Sequence, residues 1–179
     1  MRTLMTSGLI LILLATCAAN DDPQAAGAEN GRNEMTDDGS TGLAEVLQSG
    51  TFGMAAQGDV GRRRAPWVEV ATDHESYSSI WTANVGEGNP PAVDFGSNSV
   101  VFLLMGPQPT GGYWIKYLST ELENGTLQVA ADLQQPGQGD MVTQAFTAPY
   151  IVLRVEDREF TVVEWINQGR LLWRTEVGR

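Results

Sequence analysis

The chain lacks most of the residues on which enzymes and metal sites depend. Of its 179 residues only one is a cysteine, Cys17, and only one is a histidine, His74. A single cysteine excludes an intramolecular disulfide and a thiolate zinc cluster, and a single histidine excludes a metal centre built on several imidazoles. The sequence also contains no Gly-x-Ser-x-Gly nucleophile elbow. We therefore expect no catalytic residues, no bound metal and no cofactor.

Positive charge is scarce as well. The chain has 22 acidic residues against 11 lysines and arginines, which gives a formal net charge of −11. Proteins that bind nucleic acids need clustered basic side chains to displace counterions from phosphates, so nucleic acid is excluded as a partner. Arg62-Arg63-Arg64 is the one basic cluster. We interpret it as a solvated linker patch, with a partner contact or a processing site as alternatives.

No apolar run is long enough to cross a bilayer, which takes about 20 residues in a helix. The longest run at the start of the chain, Leu9 to Leu14, follows the single charge of Arg2 and precedes small residues. This order of a positive region, a short apolar region and a cleavage site is typical of an export signal.

Leu14-Ala15-Thr16-Cys17 resembles the bacterial lipobox, whose cysteine is linked to diacylglycerol and becomes the first residue of the mature chain. The resemblance implies a signal peptide over residues 1–16, a lipid attached to Cys17, and a location in the cell envelope on the outer or the cell membrane. Two or more acyl chains anchor a protein stably. The alternative is an ordinary signal peptide cut at Ala18-Ala19, with no lipid.

Residues 17–65 are predicted to form a flexible tether. Residues 18–40 are rich in small and polar residues and contain no aromatic side chain, so they cannot bury enough apolar surface to offset the entropy of ordering. Within the tether, Thr41 to Leu47 predicts one or two helical turns, with Thr41 as the N-cap. A flexible chain of this length typically spans roughly 35–40 Å.

Residues 66–179 are predicted to form one β-rich domain, because all five tryptophans and most of the apolar alternation lie there. Trp67 to Ala71 reads as a strand. Thr72 or Asp73 then caps a short helix that ends near Asn84 to Gly88.

The remaining segments all predict strands. Val100 to Met105 is continuously apolar, as expected of a central strand covered on both faces, and Asn124-Gly125 predicts a tight hairpin turn. Many short strands with one helix indicate a mostly β protein, either an antiparallel β-sandwich or an open barrel. The other predicted strands are Tyr113 to Leu122, Thr126 to Leu133, Met141 to Phe146, Tyr150 to Glu156, Phe160 to Ile166 and Leu171 to Thr175.

The loop of residues 106–113 combines two prolines, which restrict the backbone, with two adjacent glycines, which do not. Its prolines fix φ, and its adjacent glycines allow conformations closed to other residues. A rigid turn between two core strands and a surface that recognises a partner are equally good interpretations. Because side chains alternate along a strand, the two aromatic residues at the exit of the loop are expected on opposite faces. The predicted partner-binding residues are Gly106, Pro107, Gln108, Pro109, Thr110, Gly111, Gly112, Tyr113 and Trp114.

Several blocks of residues, in order, resemble the C-terminal domain of the PrcB family, whose members are lipoprotein-type accessory subunits of a bacterial protease complex. The resemblance covers roughly residues 73 to 156 and is most specific in Pro109 to Tyr113. It implies a non-catalytic exported protein that assembles, stabilises or docks to a protease. The blocks are Val93-Asp94-Phe95, Val100-Val101-Phe102, Pro109-Thr110-Gly111-Gly112-Tyr113, Met141-Val142-Thr143-Gln144-Ala145 and Pro149-Tyr150.

Other functions remain as alternatives. Pro109 to Trp114 also resembles in part a loop of chagasin-type cysteine-protease inhibitors, which implies inhibition of a protease. A purely structural envelope lipoprotein is a second alternative. A hydrolase that uses His74 is a third, although no nucleophile–base pair is evident in the sequence.

Overall fold

The computed structural model describes residues 42–53, 66–86, 88–156 and 159–178, all within the compact unit Asp37–Arg179. The predicted signal peptide, Cys17 and the arginine cluster at 62–64 lie outside the described residues. The elements are β1 (Ala44–Gly53), β2 (Trp67–Ala71), α1 (His74–Asn84), β3 (Asn98–Leu104), β4 (Trp114–Glu123), β5 (Thr126–Gln134), β6 (Thr147–Glu156), β7 (Val162–Asn167) and β8 (Arg170–Glu176).

The strands form two four-stranded sheets. The first sheet has the order β1-β6-β3-β2 and is antiparallel throughout. The second sheet has the order β4-β5-β7-β8 and is antiparallel except between β5 and β7. In the described part of the chain the sheets do not close into a barrel. The expectation of a mostly β protein, an antiparallel β-sandwich or an open barrel with one short helix, is therefore confirmed in class, except that the pairing of β5 with β7 is parallel.

A hydrophobic core fills the space between the sheets, and a second cluster packs between the first sheet and α1. Strand β3 contributes to both, because Val101 and Leu103 face the core between the sheets while Phe102 faces the second cluster. This explains the continuous apolar run in the sequence: a strand covered on both faces has no solvent side on which polar residues would be favoured.

The parallel pairing of β5 with β7 follows from the path of the chain. Strand β6 belongs to the other sheet, so the chain crosses to the first sheet and returns alongside β5 in the same direction. The fully buried Trp165 of β7 donates its indole N–H to the carbonyl oxygen of Ala131 at 2.7 Å. Asn167 accepts the backbone N–H of Leu133 at 3.0 Å. Side chains therefore add hydrogen bonds to those of the strand pair.

Helix α1 begins and ends where the sequence predicts. The side chain of Asp73 accepts the backbone N–H of Ser76 at 2.8 Å, as an N-cap does. Tyr77 and Trp81 are buried against the first sheet. The helix ends before Gly86, whose φ of +126° is unsuited to other residues.

The hairpin between β4 and β5 is also as predicted. Asn124 and Gly125 both have positive φ, +50° and +76°, as a type I′ turn requires. The turn between β7 and β8 uses the same device, with Gln168 at +50° and Gly169 at +72°.

The helical turns predicted over Thr41 to Leu47 were wrong. Strand β1 begins at Ala44 and pairs with β6, although it lies within the range assigned to the tether. The register shifts between Val46 and Gln48, so Val46 packs against one cluster and Leu47 against the other. Because of this irregularity, the spacing of the apolar residues resembles that of a helix. The pairing with β6 determines that the segment is a strand.

The strand predicted over Met141 to Phe146 was also wrong. The segment has no strand pairing and forms a loop with both of those side chains exposed. Strand β6 begins directly afterwards at Thr147 and includes Pro149, so it starts before Tyr150, the predicted first residue of this strand. The apolar residues of the segment do not alternate, which is the signal that distinguishes this loop from a half-buried strand.

Candidate functional site

The predicted binding loop, residues 106–113, connects β3 of the first sheet to β4 of the second; we call it the glycine loop. Gly106 begins it with a φ of +80°. Gln108 then exchanges two backbone hydrogen bonds with Thr147, at 2.7 and 3.1 Å. The hydroxyl of Thr147 donates to the carbonyl oxygen of Thr110 at 2.8 Å. The middle of the loop is therefore held to the start of β6.

A second loop, residues 135–146, packs against the glycine loop; we call it the companion loop. The backbone N–H of Gly111 donates to the carbonyl oxygen of Thr143 at 2.9 Å. A Cβ atom on Gly111 would clash with the hydroxyl oxygen of Thr143. On Gly112, whose φ is +82°, a Cβ would lie 2.8 Å from Val142 and 3.0 Å from Pro136. Both glycines are thus required by the close approach of the two loops.

The companion loop contains its own turn. The carboxylate of Asp140 accepts the backbone N–H of Gly137 at 2.7 Å, and the backbone N–H of Asp140 donates to the carbonyl of Gly137 at 3.2 Å. Gly139 has a φ of +97° and faces open space. The loop is therefore ordered by hydrogen bonds on one side and by the glycine loop on the other.

Large apolar side chains are exposed on and beside this loop pair. Met141 and Phe146 of the companion loop are 101% and 63% exposed, and Trp114, directly after the glycine loop, is 43% exposed. Among the described residues only two other large hydrophobic side chains are exposed, Leu118 and Leu171. Exposed apolar side chains in one region of a surface are a common feature of interaction sites.

The structure divides the predicted site residues between the interior and the surface. Tyr113 is half-buried against the core between the sheets whereas Trp114 is exposed, so the two lie on opposite faces, as the alternation of side chains predicted. Gly106 and Gly111 are buried, and Pro109 and Gly112 are exposed. The remaining loop residues, Pro107, Gln108 and Thr110, are half-buried.

Sequence reasoning missed the companion loop as part of this surface, because it assigned Met141 to Phe146 to a strand. The signal that points to it is the pair of adjacent glycines at 111–112. Such a pair indicates that another backbone segment approaches closely, but it does not say which segment.

His74 is the residue on which the hydrolase alternative depends. The imidazole packs edge-to-face on Phe95, with ring centroids 4.8 Å apart. The Asp94 carboxylate nearby accepts the backbone N–H of Gly96 at 2.9 Å and the hydroxyl of Ser97 at 3.0 Å. These hydrogen bonds hold the pKa of Asp94 below its usual range. The carboxylate therefore stabilises a turn and is poorly suited to accept a proton near neutral pH.

The described residues contain no group of three His, Cys, Asp or Glu side chains placed to hold a metal ion. They also contain no helix with the length and apolar character of a membrane span.

Comparison with known proteins agrees with the resemblance seen in the sequence. Residues 99–156 match the family model described as PrcB C-terminal, so this segment is a PrcB C-terminal domain. It runs from β3 to the end of β6 and includes both loops of the pair. No curated protein and no solved structure is significantly similar to the chain.

Proposed function

We propose that this chain, whose residues 99–156 form a PrcB C-terminal domain, is a non-catalytic, lipid-anchored module of the cell envelope. It binds an exported partner protein through the surface of the loop pair. The first candidate for the partner is a protease that the module assembles or stabilises.

The observation that carries this proposal is the exposure of Trp114, Met141 and Phe146. Aromatic residues and methionine are enriched at protein–protein interfaces, where a few of them supply most of the binding energy. Such residues add little to the stability of the protein when they are exposed to water. Each Å² of apolar area left uncovered forgoes about 25 cal/mol of the free energy that burial would provide. A partner that covers them recovers this free energy.

The order of the loop pair also supports a binding role. The glycine loop is tied by backbone hydrogen bonds to Thr143 and Thr147, and neither Gly111 nor Gly112 has room for a side chain. A surface that is already ordered loses little conformational entropy on binding, which favours affinity. The exposed side chains therefore stand on a rigid base.

The anchor is supported by the sequence pattern that ends at Cys17. We expect mass spectrometry of the mature N-terminus to find an acylated Cys17, and Cys17→Ser to release the protein from the membrane fraction. An unmodified N-terminus at Ala19 in the native protein would contradict the anchor, and it would leave the binding surface as a separate proposal.

The partner is tested by cross-linking followed by pull-down from native membranes. One variant replaces Trp114, Met141 and Phe146 by asparagine. A matched control replaces Leu118 and Leu171, the other large hydrophobic residues that are exposed in the described part of the chain. We expect the native chain and the control to retain the same exported protease, which mass spectrometry identifies. Loss of an anchoring aromatic residue commonly weakens binding by tenfold or more, so the loop-pair variant should lose it. Equal retention by both variants would contradict the proposal.

Inhibition of a cysteine protease is the alternative, based on the partial resemblance of Pro109 to Trp114. Its weakness is that Gly111 is buried against Thr143, so the loop has little free length to insert into a protease cleft. An inhibitor blocks a papain-like enzyme in a purified assay, and Thr110→Arg abolishes the block. A purely structural lipoprotein does neither, and its loop variants lose only stability.

A further inference from the structure

A groove of about 610 Å³ lies between β2, α1 and β8, away from the residues of the loop pair. Its volume falls within the range of about 300–1,000 Å³ that is usual for ligand-binding clefts. Strand β2 is an edge of the first sheet and β8 is an edge of the second. Two edge strands therefore border one groove.

The lining shows that the edge of β2, and not one of its faces, points into the groove. The four consecutive residues Trp67, Val68, Glu69 and Val70 all line it. Side chains alternate between the faces of a strand, and here Trp67 belongs to the cluster under α1 while Val68 belongs to the core between the sheets. A cavity that touches residues of both faces lies along the backbone edge. Alternate N–H and C=O groups of β2, those not directed at β3, face this side.

The charge of the groove has one sign. Glu69 and Glu176 line it, and no lysine, arginine or histidine does. Neither carboxylate forms an ion pair with a described residue, and Glu69 accepts only the indole N–H of Trp67, at 2.8 Å. Apolar walls come from Ile80 of α1 and Trp173 of β8.

From these observations we infer that the groove binds an extended segment of a partner protein that adds as a strand to the edge of β2 with which no described strand pairs. The segment carries a lysine or arginine for the two carboxylates and apolar residues for the walls. Main-chain hydrogen bonds supply affinity in this mode of recognition, and the side chains supply selectivity. The site is separate from the loop pair and does not depend on the proposed function.

The test uses the intact domain and a short capped peptide that alternates valine with arginine. Binding is followed by tryptophan fluorescence, because Trp67 and Trp173 line the groove. Control peptides replace each arginine by glutamate, or methylate alternate backbone nitrogens so that the peptide cannot donate along one edge. We expect the arginine peptide to bind and both controls to bind much more weakly. Equal binding of either control would overturn the proposal.

Two conservative variants locate the site. Glu69→Gln keeps an acceptor for the Trp67 indole, and Glu176→Gln has the same shape as the native residue. Each should raise the Kd of the arginine peptide by roughly 1.5- to 5-fold at low salt, the range of a solvent-exposed ion pair. Glu121→Gln, an exposed residue of β4 outside the groove, should leave the Kd unchanged. If all three variants raised the Kd equally, net charge and not the groove would account for binding, which would contradict the site.

Hydrogen exchange and sedimentation complete the test. Bound peptide should slow exchange of the outward-facing amides of β2, and unaltered exchange at β2 would place the peptide elsewhere. Without peptide, sedimentation should show a monomer at the concentrations used. If the protein is instead a dimer, and Glu69→Lys dissociates it and exposes β2, then the groove binds a second copy of the chain and the proposal is overturned.

Discussion

Gly112→Ala is the substitution that most directly probes the packing of the loop pair. The substitution lowers the stability of the fold for two reasons, which the structure allows us to consider separately. The first is the left-handed backbone, since φ is +82°, which costs a non-glycine residue roughly 1–2 kcal/mol. The second is contact: the new Cβ would lie 2.8 Å from Val142 and 3.0 Å from Pro136, and displacing packed neighbours costs roughly 1–3 kcal/mol. The two together lower the free energy of unfolding by about 2–5 kcal/mol.

Gly139→Ala is the matched control. Gly139 has a φ of +97° but nothing within 4 Å of its Cβ position, so it carries only the backbone penalty. The difference between the variants isolates the contact between the loops, at roughly 1–3 kcal/mol. At about 2–4 °C per kcal/mol for a domain of this size, the Tm values should differ by roughly 2–12 °C.

The assay is urea unfolding followed by tryptophan fluorescence, with thermal unfolding as a second measurement. Val142→Ala combined with Gly112→Ala should recover part of the contact penalty, because it removes the methyl group that the new Cβ meets. If Gly112→Ala is no more destabilising than Gly139→Ala, the two loops do not pack closely and the rigid base of the binding surface is lost.

Two further predictions concern the core and the helix. Trp165→Phe should lower the free energy of unfolding in urea by about 1–3 kcal/mol, because it leaves the buried carbonyl of Ala131 without its indole donor; an unchanged value would contradict this role. For Asp73, the N–H and hydroxyl of Ser76 lower the carboxyl pKa below 3.8, so its contribution to stability is present above pH 3.8 and is lost as pH falls through the folded-state pKa. The Tm difference between the native chain and Asp73→Ala should therefore shrink below about pH 3.8, and a constant difference would show that the charge is not involved.

The parts of the fold predicted from the sequence are those fixed by local chemistry. The turn at Asn124-Gly125 needs two positive φ angles, the cap at Asp73 needs a side-chain acceptor, and β3 needs apolar residues on both faces. Each requirement restricts the residue types at one place in the chain. The pattern can therefore be read without knowledge of distant segments.

The parts that could not be predicted depend on distant partners. Strand β1 contains several polar residues and small ones, and it is a strand because β6 pairs with it about a hundred residues later. The parallel pairing of β5 with β7 depends on which sheet accommodates β6. Both are decided by tertiary contacts that override local preference.

The candidate site shows the same division. The glycine loop stood out because Gly111 and Gly112 require an unusual backbone environment, and alternation placed Tyr113 and Trp114 on opposite faces. The contribution of Met141 and Phe146 could not be predicted, since their segment lies beside the glycine loop through a contact between residues far apart in the chain, Gly111 and Thr143. A close approach between two loops requires small residues in one loop, but it leaves no distinct sequence pattern in the other.

Photo-cross-linking from single positions is the most direct measurement of whether the loop pair is the binding surface. A photoreactive aromatic residue placed at Met141 or at Phe146 in the membrane-bound protein should attach to one and the same exported protease. The same residue at Leu171, which is 56% exposed and lies on β8, should not attach to it. Attachment from Leu171 alone, or from none of the three positions, would show that the loop pair does not contact the partner.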